Sequence, residues 1–224
     1  MVSGPSGTGK GAICDALKAA GKAELSVSMT TRAPRAYETE GESYFFVSRE
    51  RFREAIEEDG LLEHTEVFGE YYGTPRAPAL GRLGAGKDVI LEIEVNGAMQ
   101  VKGGMPDAVL VFILPPSRSE LRRRIEGRGT ETEEGIVQRL DRAESEIAHI
   151  RHYDYYVVNE DLDKAVSDTA DIIRSVALLS AEGPQGALAP EDMAACARAS
   201  ELLVGSKADS LIKGYMDGRL NEVA

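Results

Sequence analysis

Apolar positions along the chain fall into short dense runs and longer spaced stripes, and the two patterns predict different elements. Asp88 to Val95 (D-V-I-L-E-I-E-V) and Ala108 to Leu114 (A-V-L-V-F-I-L) are runs of the kind buried in parallel sheets. Leu25 to Ser28, Ser43 to Val47 and Tyr155 to Asn159 read as further strands. Residues 11–20 read as a helix, and Phe52, Ala55 and Ile56 mark one face of a short one. Ile136, Leu140, Ala143, Ile147 and Ile150 form a helical stripe, and residues 161–180 predict another helix. Pro115-Pro116 ends the second apolar run. Ser117 with Glu120 and Thr130 with Glu133 offer capping boxes for the helices that follow. Phe68-Gly69-Glu70-Tyr71 predicts a tight hairpin with glycine first in a type II′ turn. Gly183 to Gly186 reads as a linker, Pro190 as a helix start, and Ala194 to Val204 as helical.

Strands alternating with helices predict an α/β domain, and the β-like texture from Met29 to about Gly86 predicts a small inserted subdomain. A chain of 224 residues suffices for one well-packed domain with an appendage. The net charge of −12 argues against broad nucleic-acid binding, so any anionic ligand must be held by local arginine clusters. No stretch approaches the ~20 apolar residues of a membrane span. Cys14 and Cys196 are far apart and in no metal-ligand spacing, which predicts two reduced thiols in a cytoplasmic protein. No signal peptide is expected, because the N terminus runs straight into a glycine-rich loop.

That loop, Gly4-Pro5-Ser6-Gly7-Thr8-Gly9-Lys10, has the spacing G-x-x-x-x-G-K. Glycines in this pattern let successive backbone N–H groups turn inward around a phosphate chain, and the lysine adds a mobile charge. The spacing alone also fits a glycine-rich turn ahead of a helix. Arg32 and Arg35 flank a proline, and their planar forks suit a terminal phosphate; taken alone, a solvated basic loop is the better reading. Tyr44 and Tyr72 offer hydroxyl donors to the same group, or are half-buried strand tyrosines. His64, His149 and His152 have no partner spacing for metal or nucleophilic chemistry and read as structural.

The stretches S-G-P-S-G-T-G-K, S-V-S-M-T-T-R-A-P-R, Y-F-F-V, L-L-E-H, Y-Y-G-T, L-E-I-E-V-N-G-A, R-R-I-E-G-R-G-T-E-T-E-E and V-V-N-E-D-L-D-K-A occur in one order across residues 1–176. In sequence and spacing they resemble the guanylate kinases. The resemblance implies a P-loop nucleoside monophosphate kinase fold: a parallel sheet core (about 1–28, 87–116 and 146–176) flanked by helices, a β-rich GMP-binding subdomain (29–86) and a helical lid (117–145). Residues 177–224 would be a helical extension. It implies that ATP passes its γ-phosphoryl group to GMP, and to dGMP, with Mg²⁺. Gly4, Ser6, Gly7, Thr8, Gly9, Lys10, Gly11 and Ala12 would hold ATP, with Asn159, beside Asp161, at the adenine. Arg32, Arg35, Tyr44 and Tyr72 would clamp the GMP phosphate, while Ser28 and Thr74 would donate to the guanine O6. Glu63 would read guanine, whose adjacent N1–H and N2–H₂ groups match the two acceptors of a carboxylate. Glu92 and Glu94, two apart and on one face if on a strand, resemble the acidic pair near guanine and metal; otherwise one of them orients Arg32 or Lys10. Lys10, Arg124, Arg128 and Arg139 would act on the transferring phosphoryl group, with Arg142 possible, Arg122 and Arg123 solvated, and Gly127 and Gly129 as hinges for lid closure.

Three features depart from the family pattern. Gly11-Ala12 follows the lysine without the hydroxyl that usually meets Mg²⁺, so the phosphates of ATP would hold the metal and more of it would be needed. The strand ahead of the loop is reduced to Met1-Val2-Ser3. Beyond about Leu178 the resemblance stops; K-A-D-S-L-I-K-G from Lys207 is similar to a patch of phosphate acyltransferases but is far too short for an active domain. A helical appendage packed on the kinase, or a loosely attached tail, is expected there. The alternative function is a catalytically silent module that binds a phosphorylated partner through the arginine clamp, although such a binder has no use for the lysine loop or the lid. A third reading, a related small-molecule kinase, fits Glu63, Ser28 and Thr74 less well.

Overall fold

The computed structural model describes residues 1–67, 69–127, 132–180, 188–218 and 220. In chain order the elements are β1 (Val2–Ser3), α1 (Lys10–Ala19), β2 (Glu24–Leu25), β3 (Met29–Thr30), β4 (Phe45–Phe46), α2 (Arg49–Glu57), β5 (Leu61–Val67), β6 (Glu70–Pro75), α3 (Arg76–Gly84), β7 (Val89–Ile90), α4 (Val95–Gly104), β8 (Val111–Leu114), α5 (Arg118–Glu126), α6 (Glu133–Ile147), β9 (Tyr155–Val158), α7 (Leu162–Ser180), α8 (Pro190–Glu201) and α9 (Ala208–Asp217). They form two compact units, one of Ala23–Ala108 with Met1, the other of Val2–Lys22 with the chain from Val109 onward. No helix among the described residues is long and apolar enough to cross a membrane.

The second unit is built on a parallel sheet of order β1-β8-β9, with Val2 opposite Val111 and Leu114 opposite Val158. Leu110, Val111, Phe112, Ile113 and Leu114 are all buried, as a strand covered on both faces requires. β8 starts later than the apolar run because the Leu110 N–H is taken by the Asp154 carboxylate at 2.9 Å instead of by a strand. Ile13, Cys14 and Leu17 of α1 are buried, as are Ala165, Thr169 and Ile172 of α7, and these two helices pack together. Burial of Ile136, Leu140, Ala143, Ile147 and Ile150 matches the predicted stripe. Ser117 caps α5 by accepting from the Glu120 N–H. α6 is capped by Thr132, which accepts from the Gly135 N–H and makes Glu133 the first helical residue; Thr130 lies outside the described residues.

The predicted helix 194–204 is shortened from the far end. α8 stops at Glu201, and Leu202–Val204 runs antiparallel along the edge strand β9: the Tyr156 N–H donates to Leu202 O at 2.9 Å, and the Val204 N–H to Asp154 O at 3.1 Å. Backbone groups left open at a sheet edge are strong partners, and here they outweigh helix propensity. α8 packs on α7, and Leu211, Tyr215 and Leu220 are buried. The linker expected at Gly183 to Gly186 lies outside the described residues.

In the first unit β2 pairs in parallel with β7, and a second sheet has the order β4-β3-β6-β5. The strand expected at Leu25–Ser28 is two strands. After the Ser26 N–H bonds Ile90 O, the chain leaves β7 for the other sheet, where Ser28 O accepts from Phe45 N–H. Because β2 is so short, β7 ends at Ile90, and the run predicted to continue to Val95 turns into α4 instead. Phe52, Ala55 and Leu61 form the core under this sheet, with Met29, Val47 and Tyr71 packed against it; Ile56, expected on that face, is exposed. The hairpin β5–β6 pairs Val67 with Glu70, so Gly69 (φ 81°) is second in the turn, not first; Phe68 lies outside the described residues.

Candidate active site

Gly4 to Lys10 lead from β1 into α1. Gly9 ends the loop at φ 89°, and a Cβ there would overlap the Asn159 amide, so only glycine suits both the backbone and the space. No side chain among the described residues caps α1, and its first turn carries no acid, which leaves the positive end of the helix dipole for an anion. The Lys10 ammonium is buried and folds back to donate to Gly4 O at 2.6 Å and Pro5 O at 3.0 Å. Thr8 Oγ1 donates to Pro5 O at 2.9 Å, which tightens the loop on itself.

Two side chains fix the outer edge of the loop through Thr8 O. Asn159, at the end of β9, donates its amide to it at 2.7 Å. Arg124 of α5 donates to Asn159 O at 2.8 Å and lies 3.5 Å from Thr8 O, with Glu120 Oε1 at 2.7 Å on its Nε. The Asn159 amide, expected at a base, gives one N–H to the loop backbone, and Asp161 caps the start of α7 by accepting from the Lys164 N–H. Arg139 of α6 reaches Ser6 Oγ at 3.3 Å, so the structure brings two of the three expected arginines, Arg124 and Arg139, to the loop. Arg142 pairs with Glu146, and Arg122 with Glu126 and Glu133. Arg128 and Gly129 lie outside the described residues. Glu120, which sequence reasoning passed over, bonds both Arg123 and Arg124 and is held down to about 2 by them. Its signal was present as Glu three and four residues before an arginine on a predicted helix.

Gly11 and Ala12 bring no hydroxyl to the start of α1, and among the described residues no group of three or more His, Cys, Asp or Glu side chains is placed to hold a metal ion. The residues present therefore do not make a Mg²⁺ cage.

The first unit gathers the other predicted residues on one sheet. Tyr72 and Thr74 are two apart on β6 and share a face, and Glu63 of β5 stands opposite Thr74 on that face. A register irregularity between Leu61 and Glu63 marks the place where β5 turns this carboxylate inward. Glu63 is 4% exposed, and its Oε1 accepts from Thr74 Oγ1 at 2.7 Å. Burial pushes its carboxyl up to about 7, helped by the nearby Glu94 charge and opposed by the hydrogen bonds from Thr74. The single hydroxyl proton of Thr74 is committed to Glu63. Ser28 is half-buried ahead of β3. Neither Glu92 nor Glu94 lies in a strand: Glu92 forms a single bridge after β7, and Glu94 is the extended residue that opens α4. They act on different neighbours, Glu92 on Tyr44 and Glu94 on Glu63.

Arg32 lies 5.5 Å from the centre of the Tyr44 ring and is gripped by Glu38 through two parallel bonds of 2.9 and 2.8 Å. The Arg35 N–H also donates to Glu38, at 2.7 Å, and its guanidinium is 3.6 Å away. Both arginines thus converge on one anionic group, with Tyr44 and Tyr72 edge to face at 6.1 Å beside them. Arg32 holds the Glu38 carboxyl below the usual range, and burial pushes the Tyr44 hydroxyl up to about 12. Glu38 was not anticipated; its signal was an acid three residues after Arg35.

The residues 1–176 match the family model for guanylate kinase. The chain is 50% identical over 174 residues to the guanylate kinase of Caldanaerobacter subterraneus subsp. tengcongensis, covering 77% of this chain and 84% of that one. It is 47% identical over 178 residues to the guanylate kinase of Escherichia coli K12, covering 78% and 86%. The crystal structure of guanylate kinase from Anaplasma phagocytophilum is similar to this one with a TM-score of 0.64 at 37% identity, covering 77% of this chain and 82% of that chain. With the phosphate loop, the arginine pair and the buried Glu63 already in place, these likenesses settle the assignment: the chain belongs to the guanylate kinase family.

Proposed function

We propose that this nucleoside monophosphate kinase transfers the γ-phosphoryl group of Mg·ATP to GMP. A phosphate oxygen of GMP attacks the γ-phosphorus in line, the bond to the β–γ bridging oxygen breaks, and ADP leaves with that electron pair. No enzyme-bound phosphoryl group is involved. Mg²⁺ bound to ATP would supply charge neutralisation, and Gly11 and Ala12 would offer it no hydroxyl.

The observation that carries this reading is the buried Glu63–Thr74 pair on the same sheet face as Tyr72, beside Arg32 and Tyr44. A carboxylate offers two acceptors to N1–H and N2–H₂ of guanine; adenine lacks that donor pair and would leave the buried Glu63 with its contacts to Thr74 alone. Thr74 works through Glu63, keeping one carboxylate oxygen in place, while Ser28 faces O6. Arg32 and Arg35 exchange Glu38 for the GMP phosphate, two of whose oxygens can each meet one N–H of a guanidinium fork, as the Glu38 oxygens do. Glu92 and Glu94 line this half of the site.

On the ATP side, backbone N–H groups of Gly4 to Ala12 and the α1 terminus cradle the phosphates, and Lys10 trades its loop carbonyls for the outer phosphate oxygens. Arg124, Arg128 and Arg139 neutralise charge on the moving group. Asn159 contributes indirectly by holding Thr8 O. In this reading residues 29–86 are the GMP subdomain, 117–145 the lid, and 177–224 an extension outside the chemistry. The test is ADP formation from ATP and Mg²⁺ with GMP, dGMP, AMP or UMP. Turnover selective for the guanine nucleotides is expected. Retained GMP binding without turnover would make the chain a silent binding module instead.

A further inference from the structure

Glu63 is held from a second side, by a helix no predicted role included. β5 is the edge strand of its sheet, so the outward N–H and C=O of His64, next to Glu63, have no ladder partner. One side chain takes both. The His64 N–H donates to Gln100 Oε1 at 3.2 Å, and Gln100 Nε2 donates to His64 O at 2.8 Å. Gln100 lies on α4, three residues after Gly97, so the two share a side of the helix. At Gly97 the helix backbone meets the carboxylate itself: an added Cβ would overlap Glu63 Oε2 and stand 2.9 Å from its Cδ. Thr74 holds Oε1 from β6, Gly97 borders Oε2 from α4, and Gln100 staples the helix to the strand at that level.

We propose that α4 is a base-specificity element in which Gln100 and Gly97 are positioning residues that fix the plane and depth of the Glu63 carboxylate. They thereby set the preference for a purine that carries N1–H and a 2-amino group over one that carries N1–H alone. The inference rests on the reading of Glu63 as the guanine acceptor. A base with two adjacent donors needs both carboxylate oxygens in its own plane, whereas a single donor tolerates a rotated carboxylate. Loosening the carboxylate therefore costs GMP more than inosine monophosphate, which lacks the 2-amino group.

The experiment measures KM and kcat for GMP and for inosine monophosphate at saturating ATP on the full chain. It compares wild type with Gln100→Met, Gly97→Ala and Glu63→Gln. Gln100 is exposed, so Gln100→Met removes both hydrogen bonds without opening a cavity. It should raise the KM for GMP roughly five- to tenfold, with the inosine KM and the ATP KM within about twofold. Gly97→Ala should cut kcat/KM for GMP by about 100-fold, because it displaces the carboxylate by an ångström or more. If Gly97→Ala fails to fold, Gln100→Met decides. Equal changes for the two nucleotides, or none, in Gln100→Met while Glu63→Gln abolishes the preference would overturn the role of α4 and leave Glu63 as the reader. An unchanged preference in Glu63→Gln would remove both.

Discussion

The two units hold anions by opposite means. In the unit with the glycine loop the cradle is backbone, and its shape is fixed by Gly9 at φ 89° and by Asn159 and Arg124 on Thr8 O. In the other unit the anion contacts are side chains: Arg32 and Arg35 on Glu38, and Thr74 on Glu63. Backbone donors survive every substitution except proline and carry no preference among phosphates, whereas side-chain pairs are adjustable and can be selective. On the proposed reading, specificity therefore belongs to the first unit, Ala23–Ala108, and generic phosphate binding to the second, which carries the glycine loop.

Two substitutions break that contrast with the largest expected effects. Lys10→Met should lower kcat by about 10²–10³, the cost of losing one preorganised charge at a transferring oxyanion. It should do so equally with GMP and dGMP. Glu63→Gln should lower kcat/KM for GMP by a comparable roughly 10²–10³, because the amide presents a donor where guanine also presents one. Its ATP KM should stay within about twofold. Steady-state kinetics with ATP and GMP varied in turn separates them, and a rise in the ATP KM matching the GMP loss in Glu63→Gln would contradict the division.

How much of this was legible follows from the same contrast. The glycine spacing and Lys10 are local, so the loop and its helix could be read directly from seven consecutive residues. Buried strand β8 and the stripe on α6 were equally local. What escaped depends on partners distant in the chain. β7 stops at Ile90 because β2 is short, which no pattern within 88–95 reveals, and so Glu92 and Glu94 lie beyond the strand expected to carry them. Leu202–Val204 looked helical because only the open edge of β9, nearly 50 residues earlier, pulls it straight. The bond from the Asn159 amide to Thr8 O spans 151 residues, so its hold on the loop has no local signal. Glu38 and Glu120 carried a weak local signal, but charged residues beside arginines are common on solvated surfaces, and pairing alone does not mark function.

A smaller effect distinguishes the halves by pH. Burial raises the Glu63 carboxyl to about 7, so the free protein favours its neutral form. That contribution to stability is fully present below the ordinary carboxyl range and is lost as pH rises through about 7. GMP needs the ionised form, and its donors repay the cost. From pH 8 to pH 6 the ionised fraction falls about tenfold, so the KM for GMP should rise about tenfold in wild type beyond any rise seen in Glu63→Gln. That comparison cancels titration of the GMP phosphate. GMP binding at pH 6 should also release a proton, visible in calorimetry as heat that depends on the buffer. The ATP KM should lack this component; a matching rise there would assign the titration to the loop.

The extension offers a control outside both halves. Tyr215 of α9 is fully buried, its hydroxyl has no hydrogen-bond partner among the described residues, and burial raises it to about 12. Tyr215→Phe removes an unsatisfied polar atom and keeps the packing, so stability should rise by about 1 kcal/mol in denaturant titration. Kinetic constants for both nucleotides should be unchanged. A fall in stability would mean that the hydroxyl is satisfied by a group the packing does not reveal.

The smallest expected effect concerns the one weakness of the backbone cradle. Ala12 is exposed in the first turn of α1, at the position where the family pattern commonly carries a hydroxyl. Threonine costs this helix a few tenths of a kcal/mol in propensity and displaces nothing buried. Ala12→Thr adds one oxygen ligand to a cation otherwise held by phosphate and water, and a polar contact of this kind is worth about 0.7 kcal/mol net, or roughly threefold. Half-saturation by Mg²⁺ at fixed ATP should therefore fall about threefold, in turnover and in Mg²⁺-dependent ATP binding measured without GMP. The KM for GMP should not move. If the binding curves of wild type and Ala12→Thr superimpose, the phosphates alone hold the metal and Ala12 costs the protein nothing. If the GMP constant moves instead, the substitution has disturbed the loop, and the separation between a generic phosphate cradle and a selective base site is less complete than the hydrogen bonds suggest.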